Sequence, residues 1–356
     1  MAASNVAFAL LVAVASALFV WNVRRLVAQL RMGRLDDSRL GDVGARLANL
    51  LQVGIFQKKI FRDSVAGPMH AAIFWGFCVL TAGTTELIVN GIVPSFSYEK
   101  FLPYSLYRFY TVNQDVWGLL VLLAVGFALF RRITRRVKRL AGAETHPNDP
   151  LLILSWIGAL MVTMFATEAL TMIAEPSTSA AALRPISWAL ARGLDGLVSV
   201  HVASHADGVS WLAHGLLVLG FLNYLPYSKH LHVVASLPNV YLSNTSGPGT
   251  VGVIRAMDLE ADVEVFGARD VEQISWKSLL DGFACTECGR CTSVCPANIT
   301  GKPLSPRKIM VNVRERTEEK AIAAGIGLMG RGAPRTATPP TDAGGGTAVA
   351  TTDARA

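Results

Sequence analysis

The chain has 356 residues, of which 51% are hydrophobic and only 17% charged. That balance excludes an ordinary soluble domain and suits a polytopic membrane protein. The formal net charge of +7 does not point to nucleic acid, because the basic residues flank long apolar blocks, where membrane topology accounts for them.

Five stretches are long and apolar enough to cross about 30 Å of hydrocarbon: roughly 5–23, 66–90, 112–130, 151–173 and 208–228. The first is read as an uncleaved span, because "MAASN" carries no basic residue and Arg24 and Arg25 follow the apolar run. Loop charge alternates. Residues 24–65 carry nine Lys/Arg and residues 131–150 carry six, against two each in 91–111 and 174–207. The positive-inside rule then predicts an outside N-terminus and a cytoplasmic C-terminal part. The expectation is an all-α membrane protein of the inner (cytoplasmic) membrane, in contact with lipid. Its parts are a membrane domain over 1–233, a connector over 234–275, a small cytoplasmic ferredoxin-like segment over 276–325 and a disordered tail over 326–356. The connector shows short strand-like pieces, "VGVIRAM" and "VEVFG". The tail "RGAPRTATPPTDAGGGTAVATTDARA" has no apolar pattern. Ser305 followed by Pro306 predicts a helix start. "TSGPGT" at 245–250 is not a nucleotide loop, having too few glycines and no following helix.

Four of the five cysteines fall in "CTECGRCTSVCP": Cys285, Cys288, Cys291 and Cys295. The spacing C-x2-C-x2-C-x3-C-P is that of a bacterial [4Fe–4S] run, whereas structural zinc uses two separated pairs. Cys295 either completes this cluster or serves one shared with a partner chain, because in two-cluster ferredoxins the fourth cysteine ligates the other cluster. Cys78, inside an apolar run, reads as a small buried hydrophobe.

There are seven histidines. His146 reads as solvated, and His201 and His205 as solvated or lining a site near the outer face. His70 and His214 lie within spans, where an imidazole is a functional hypothesis. The second span runs inside to outside and the fifth runs back, so His70 sits toward the cytoplasm and His214 toward the outer face. Positions 214 and 232 are about 27 Å apart if helical, so His70 can face His230 or His232 but not His214. Two such imidazoles supply both axial positions of a b-type haem. Glu86 and Glu168, near the outer ends of their spans, read as interfacial or hydrogen-bonded carboxylates more readily than as proton-exchanging groups for a quinone.

"MHAAIFWGF" and "HGLLVLGFLNYLPYSKHLHVV" resemble the cytochrome b (gamma) subunit of respiratory nitrate reductase. In that family two histidines of the second span and two of the fifth bind two haems. The resemblance implies that His70 and His232 hold the inner haem, with His214 matching the first histidine of the fifth span. The partner of His214 is expected at position 80, which is Leu80, so the outer site departs from the family. "WKSLLDGFACTECGRCTSVCPANITGKPLSPRKIM" resembles heterodisulfide-reductase-related iron–sulfur oxidoreductases fused to such a domain. That group includes membrane dehydrogenases that pass electrons from electron-transfer flavoprotein to quinone. Relatives carry a second cysteine run and Cys-Cys-Gly domains, which the chain lacks. It is therefore expected to be a truncated or split form, a subunit or fragment of a quinone-linked oxidoreductase. Its expected partner is the flavoprotein or a second iron–sulfur subunit. The alternative is a non-catalytic membrane anchor that recruits a soluble oxidoreductase.

Overall fold

A computed structural model describes residues 3–36, 39–134, 137–140, 148–177, 179–245, 258–260, 262 and 267–330. Five helices are long and apolar enough to cross a membrane: α1 (Ala3–Leu30), α3 (Ala66–Ile92), α4 (Tyr104–Thr134), α5 (Asp149–Ala174) and α8 (Val200–Tyr224). Each coincides with one of the five expected stretches, and α1, α4 and α8 run well past theirs at one end or both. No strand occurs among the described residues; the one extended pairing is a single bridge between Arg34 and Ser275. The chain is thus an all-helical membrane protein. The expected strand-like pieces at 251–257 and 263–267 lie outside the described residues, except Gly267, and so do residues 331–356 of the expected tail.

Short helices fill the connections. α2 (Val43–Asn49) runs into a π-turn, Leu50–Ile55, and α6 (Ala180–Leu183) and α7 (Pro185–Leu194) lie between α5 and α8. Asp115, buried within α4, accepts hydrogen bonds from the Ile186 and Ser187 amides and the Ser187 hydroxyl. It thereby satisfies the free N–H groups at the start of α7. Of the two carboxylates singled out in the spans, Glu86 accepts from Ser97, Tyr98 and Tyr110, and Glu168 pairs with Arg184 at 2.9 Å.

The spans pack through one apolar cluster, in which Leu80 meets Val121, Val125, Ile153, Ile157 and Met161. A second cluster joins the bundle to the cysteine-bearing segment. Leu26 of α1, Leu231, and Ala235 of α9 (His232–Tyr241) pack with Leu280 and Phe283 of α10 (Trp276–Ala284) and with Leu328. Burial of each large side chain is worth about 1.5–3 kcal/mol, enough to hold α10 against the bundle. Leu328 is 4% exposed, so the packed chain continues through the start of the stretch expected to be disordered. The bridge reinforces this docking, with Arg34 N–H donating to the Ile274 carbonyl at 2.8 Å and Trp276 N–H to the Arg34 carbonyl at 3.0 Å. Gly33 permits it, because a Cβ there would lie 2.8 Å from Trp276 N.

Candidate functional site

The cysteine run lies between α10 and α13 (Pro306–Ala323), with α11 (Arg290–Ser293) inside it and α12 (Pro296–Ile299) directly after it. Cys285 follows the last residue of α10, Cys291 lies on α11, and Cys295 precedes Pro296 at the start of α12. Glu287 (φ 57°) and Gly289 (φ 74°) are both left-handed. Left-handed residues in a turn aim successive amides inward, the backbone arrangement that cradles iron–sulfur clusters. The Glu287 amide already bonds Cys285. Burial pushes the Cys285 thiol up, while that amide and Arg314 act in the opposite direction.

All four thiols are free, with Cys288 and Cys291 exposed. Among the described residues, no group of three or more His, Cys, Asp or Glu side chains converges as a ready metal cage. The donor chemistry nevertheless fits a thiolate-bound iron–sulfur group. Glu287, the nearest carboxylate in the run, is turned away, 0% exposed, onto Lys229 at 3.1 Å and onto Arg314. Burial opposes its ionisation, but Arg314 and Lys229 outweigh that and hold the carboxyl below the ordinary glutamate range.

The loop is seated on the bundle from the other side too. Arg307 of α13 donates to the Arg139 carbonyl at 2.8 Å, and a Cβ on Gly289 would lie 2.4 Å from that same oxygen. Arg139 and Arg290 meet Asp63 at 3.1 and 3.7 Å. The Asp63 carboxyl is held at about 2 by the Ala66 amide, against burial, and by Arg139. The loops after α2 and α4, the end of α8 and the cysteines therefore share one side of the bundle.

The histidines meet on that same side. The rings of His70 and His232 stand 6.4 Å apart, centroid to centroid, at 44°. A metal about 2.0 Å from each Nε2, with a ring radius of roughly 1.1 Å, would separate two centroids by about 6.2 Å. Both Nδ1 atoms are engaged elsewhere. His232 Nδ1–H donates to the Lys229 carbonyl at 2.9 Å, and His70 Nδ1 bonds Gln57 Oε1 at 3.0 Å. Such bonds orient a ligating imidazole and leave Nε2 for the metal. The pair fits a bis-histidine group. His230 packs edge-on to His232 at 5.0 Å and against Phe221 at 5.2 Å. Burial, then the charges of His232 and His70, lower its pKa to about 3. Burial also lowers that of His232.

His214 stands apart, near the middle of α8. The Thr163 hydroxyl donates to the Ala159 carbonyl, so its oxygen accepts the Nδ1–H of His214 at 2.9 Å. Its partner is a hydroxyl on α5, and Leu80 is committed to the apolar cluster. His201 and His205 pack on each other at 4.7 Å, exposed near the start of α8. His146 lies outside the described residues, and Cys78 is exposed on α3 rather than buried. Sequence reasoning did not single out Gln57, Glu287 or Arg314, which position these groups together with Lys229; Lys229 lay only within the stretch that carries the resemblance, and Glu287 within the cysteine run.

No family profile matches the chain, and neither does any solved structure. It is 32% identical, over 90% of its length, to the probable iron-sulfur-binding oxidoreductase FadF of Bacillus subtilis, of which it covers 44%. It is 29% identical, over 74% of its length, to an EtfAB:quinone oxidoreductase of Syntrophomonas wolfei, covering 37% of that protein. It is 27% identical, over 60% of its length, to one subunit of the dihydromethanophenazine:CoB–CoM heterodisulfide reductase of Methanosarcina acetivorans, covering 72% of it. The chain thus spans less than half the length of the first two relatives. Their names agree with a membrane iron–sulfur oxidoreductase; none of the three names a nitrate reductase.

Proposed function

We propose that the chain is a membrane electron-transfer protein that passes electrons between a cytoplasmic donor and the quinone pool. Cys285, Cys288, Cys291 and Cys295 would hold a [4Fe–4S] cluster, and His70 and His232 one b-type haem. The observation that carries this reading is the bridge between the two sets. Lys229 takes the Nδ1–H of His232 on its carbonyl and pairs through Nζ with Glu287, between Cys285 and Cys288. When bound, the cluster and the haem would each supply one-electron exchange. The chain's own residues orient the imidazoles, cancel charge around the thiolates with Lys229 and Arg314, and fix the two sets against each other. The name of one relative, the EtfAB:quinone oxidoreductase, favours an electron-transfer flavoprotein as donor and a quinone as acceptor. The loop charges favour a cytoplasmic face for the cysteines.

The test is anaerobic purification of the full chain, with iron and sulfide analysis and a reduced-minus-oxidised spectrum. About four irons per chain outside the haem, together with a b-type band, are expected. Zinc in place of iron overturns the cluster. Iron without a haem band leaves a membrane anchor that carries one cluster.

A further inference from the structure

The cysteine segment does not close flush on the bundle. A cavity of about 450 Å³ remains between the first turn of α5, the end of α8 and the face of α13. That is within the range of small-molecule sites, about 300–1,000 Å³. Five charged groups line it: the carboxylates of Asp149, Glu287 and Glu318 and the cations of Lys229 and Arg314. Carboxylates outnumber cations, so the cavity does not suit an anion such as a lipid phosphate; it suits a neutral, polar head.

Two further features narrow the class. Tyr224, on the wall, stacks on Trp156 with centroids 5.7 Å apart at 21° and donates to Asp149, which makes one side flat and aromatic. Leu152, in the first turn of α5, also lines the cavity and is 47% exposed. The cavity therefore carries an exposed apolar side chain at the start of a helix long and apolar enough to cross a membrane. A ligand matching both features has a planar ring with polar oxygens and an apolar tail that stays in the bilayer.

We propose that this crevice is the binding site for the head group of a membrane quinone, with Tyr224 and Asp149 against the ring and Leu152 at the mouth. The assignment rests on the electron-transfer reading above and gives the acceptor a place. Lys229 and Glu287 line the cavity and also form the bridge between the cysteine loop and His232. The ligand would thus lie beside both sets of cofactor-holding residues, on the side of the bundle that carries the cysteines.

The test uses the full chain in nanodiscs and the quinone-site probe 2-heptyl-4-hydroxyquinoline N-oxide, whose fluorescence is quenched on binding. Leu152→Trp closes the mouth and Tyr224→Leu removes the flat wall. Each is expected to weaken binding by about tenfold or more, with iron content and haem spectrum unchanged. Phe109→Trp, at the opposite end of the bundle, is the control and should bind like the parent. Parental affinity in both crevice variants, with cofactors intact, overturns the site, as does loss of binding in the control alone. The probe reading needs no cofactor. A chain free of iron and haem would sink the electron-transfer reading, whereas loss of binding in Leu152→Trp would support the crevice even then.

Discussion

Gln57 reaches His70 across thirteen residues of chain, Oε1 to Nδ1 at 3.0 Å, from a left-handed backbone of φ 52°. A non-glycine residue in that region costs about 1–2 kcal/mol, and Gln57 is 2% exposed. The strain is tolerated where it aims a side chain at an imidazole. Gln57→Leu should leave the bundle folded and weaken haem binding by roughly 10–100-fold. Haem titration of apoprotein would measure it; unchanged affinity would remove Gln57 from the site.

The facing rings separate the histidines into two groups. His70→Ala and His232→Ala should each abolish the b-type band. His230→Ala, which removes a packing neighbour, and His214→Ala, which removes a bond to Thr163, should both keep it. Loss of the band in His214→Ala with retention in His232→Ala would move the haem toward the middle of the bundle.

Glu287 is enclosed by two cations. Glu287→Ala removes the carboxylate that Lys229 and Arg314 share, and breaking a buried pair costs about 3–5 kcal/mol. Iron content after purification should fall while the membrane domain still inserts. The carboxyl is depressed in the folded chain, so the stabilisation is present above the ordinary value of 4.5 and is lost as pH falls below it. Acid titration of the cluster absorbance should show loss beginning there. Loss confined to neutral pH would contradict the assignment.

Gly289→Ala meets two obstacles, a φ of 74° and the Arg139 carbonyl 2.4 Å from the new Cβ. The cost is at least about 1 kcal/mol from the backbone alone, and it falls on the contact between the cysteine loop and residues 137–140. Lower iron occupancy with an unchanged haem band is expected; equal iron occupancy would mean the loop does not need that seat.

Topology is testable at two exposed leucines. Leu35 follows α1 and Leu197 precedes α8, at 82% and 80% exposure. With a membrane-impermeant thiol reagent on intact cells, Leu197→Cys should react and Leu35→Cys should react only after lysis. The reverse pattern would place the cysteine run outside.

The spans were legible because a bilayer imposes a hydropathy that no soluble contact overrides. Their ends were not, because polar partners extend the helices past the hydrocarbon. α8 starts at Val200, where Ser199 caps it, and α4 starts at Tyr104, where Tyr110 reaches Glu86. Depth along antiparallel helices was sufficient to bring His70 to the region of His230 and His232. The bridge through Lys229 and Glu287 was not readable, since it depends on how two segments dock. Asp115 was hidden for a similar reason: beside Asn113 and Gln114 at the start of an expected span it reads as part of a polar end until the start of α7 is seen against it.

The contact between α1 and the last described residues has a consequence for biogenesis. Asn22 accepts from the Met329 amide at 3.4 Å, and Arg25 donates to the Gly325 carbonyl at 3.2 Å. At about 5–20 residues per second, the ribosome delivers these partners roughly 15–60 s after α1 has been made. During that interval the face of α1 that will receive Leu328 lacks that partner, and Leu26 gains its other neighbours, Leu231, Ala235, Leu280 and Phe283, one segment at a time. Delivery of iron and sulfide in that window would meet an open loop; after it, the same loop is fastened by both ends of the chain's packed core.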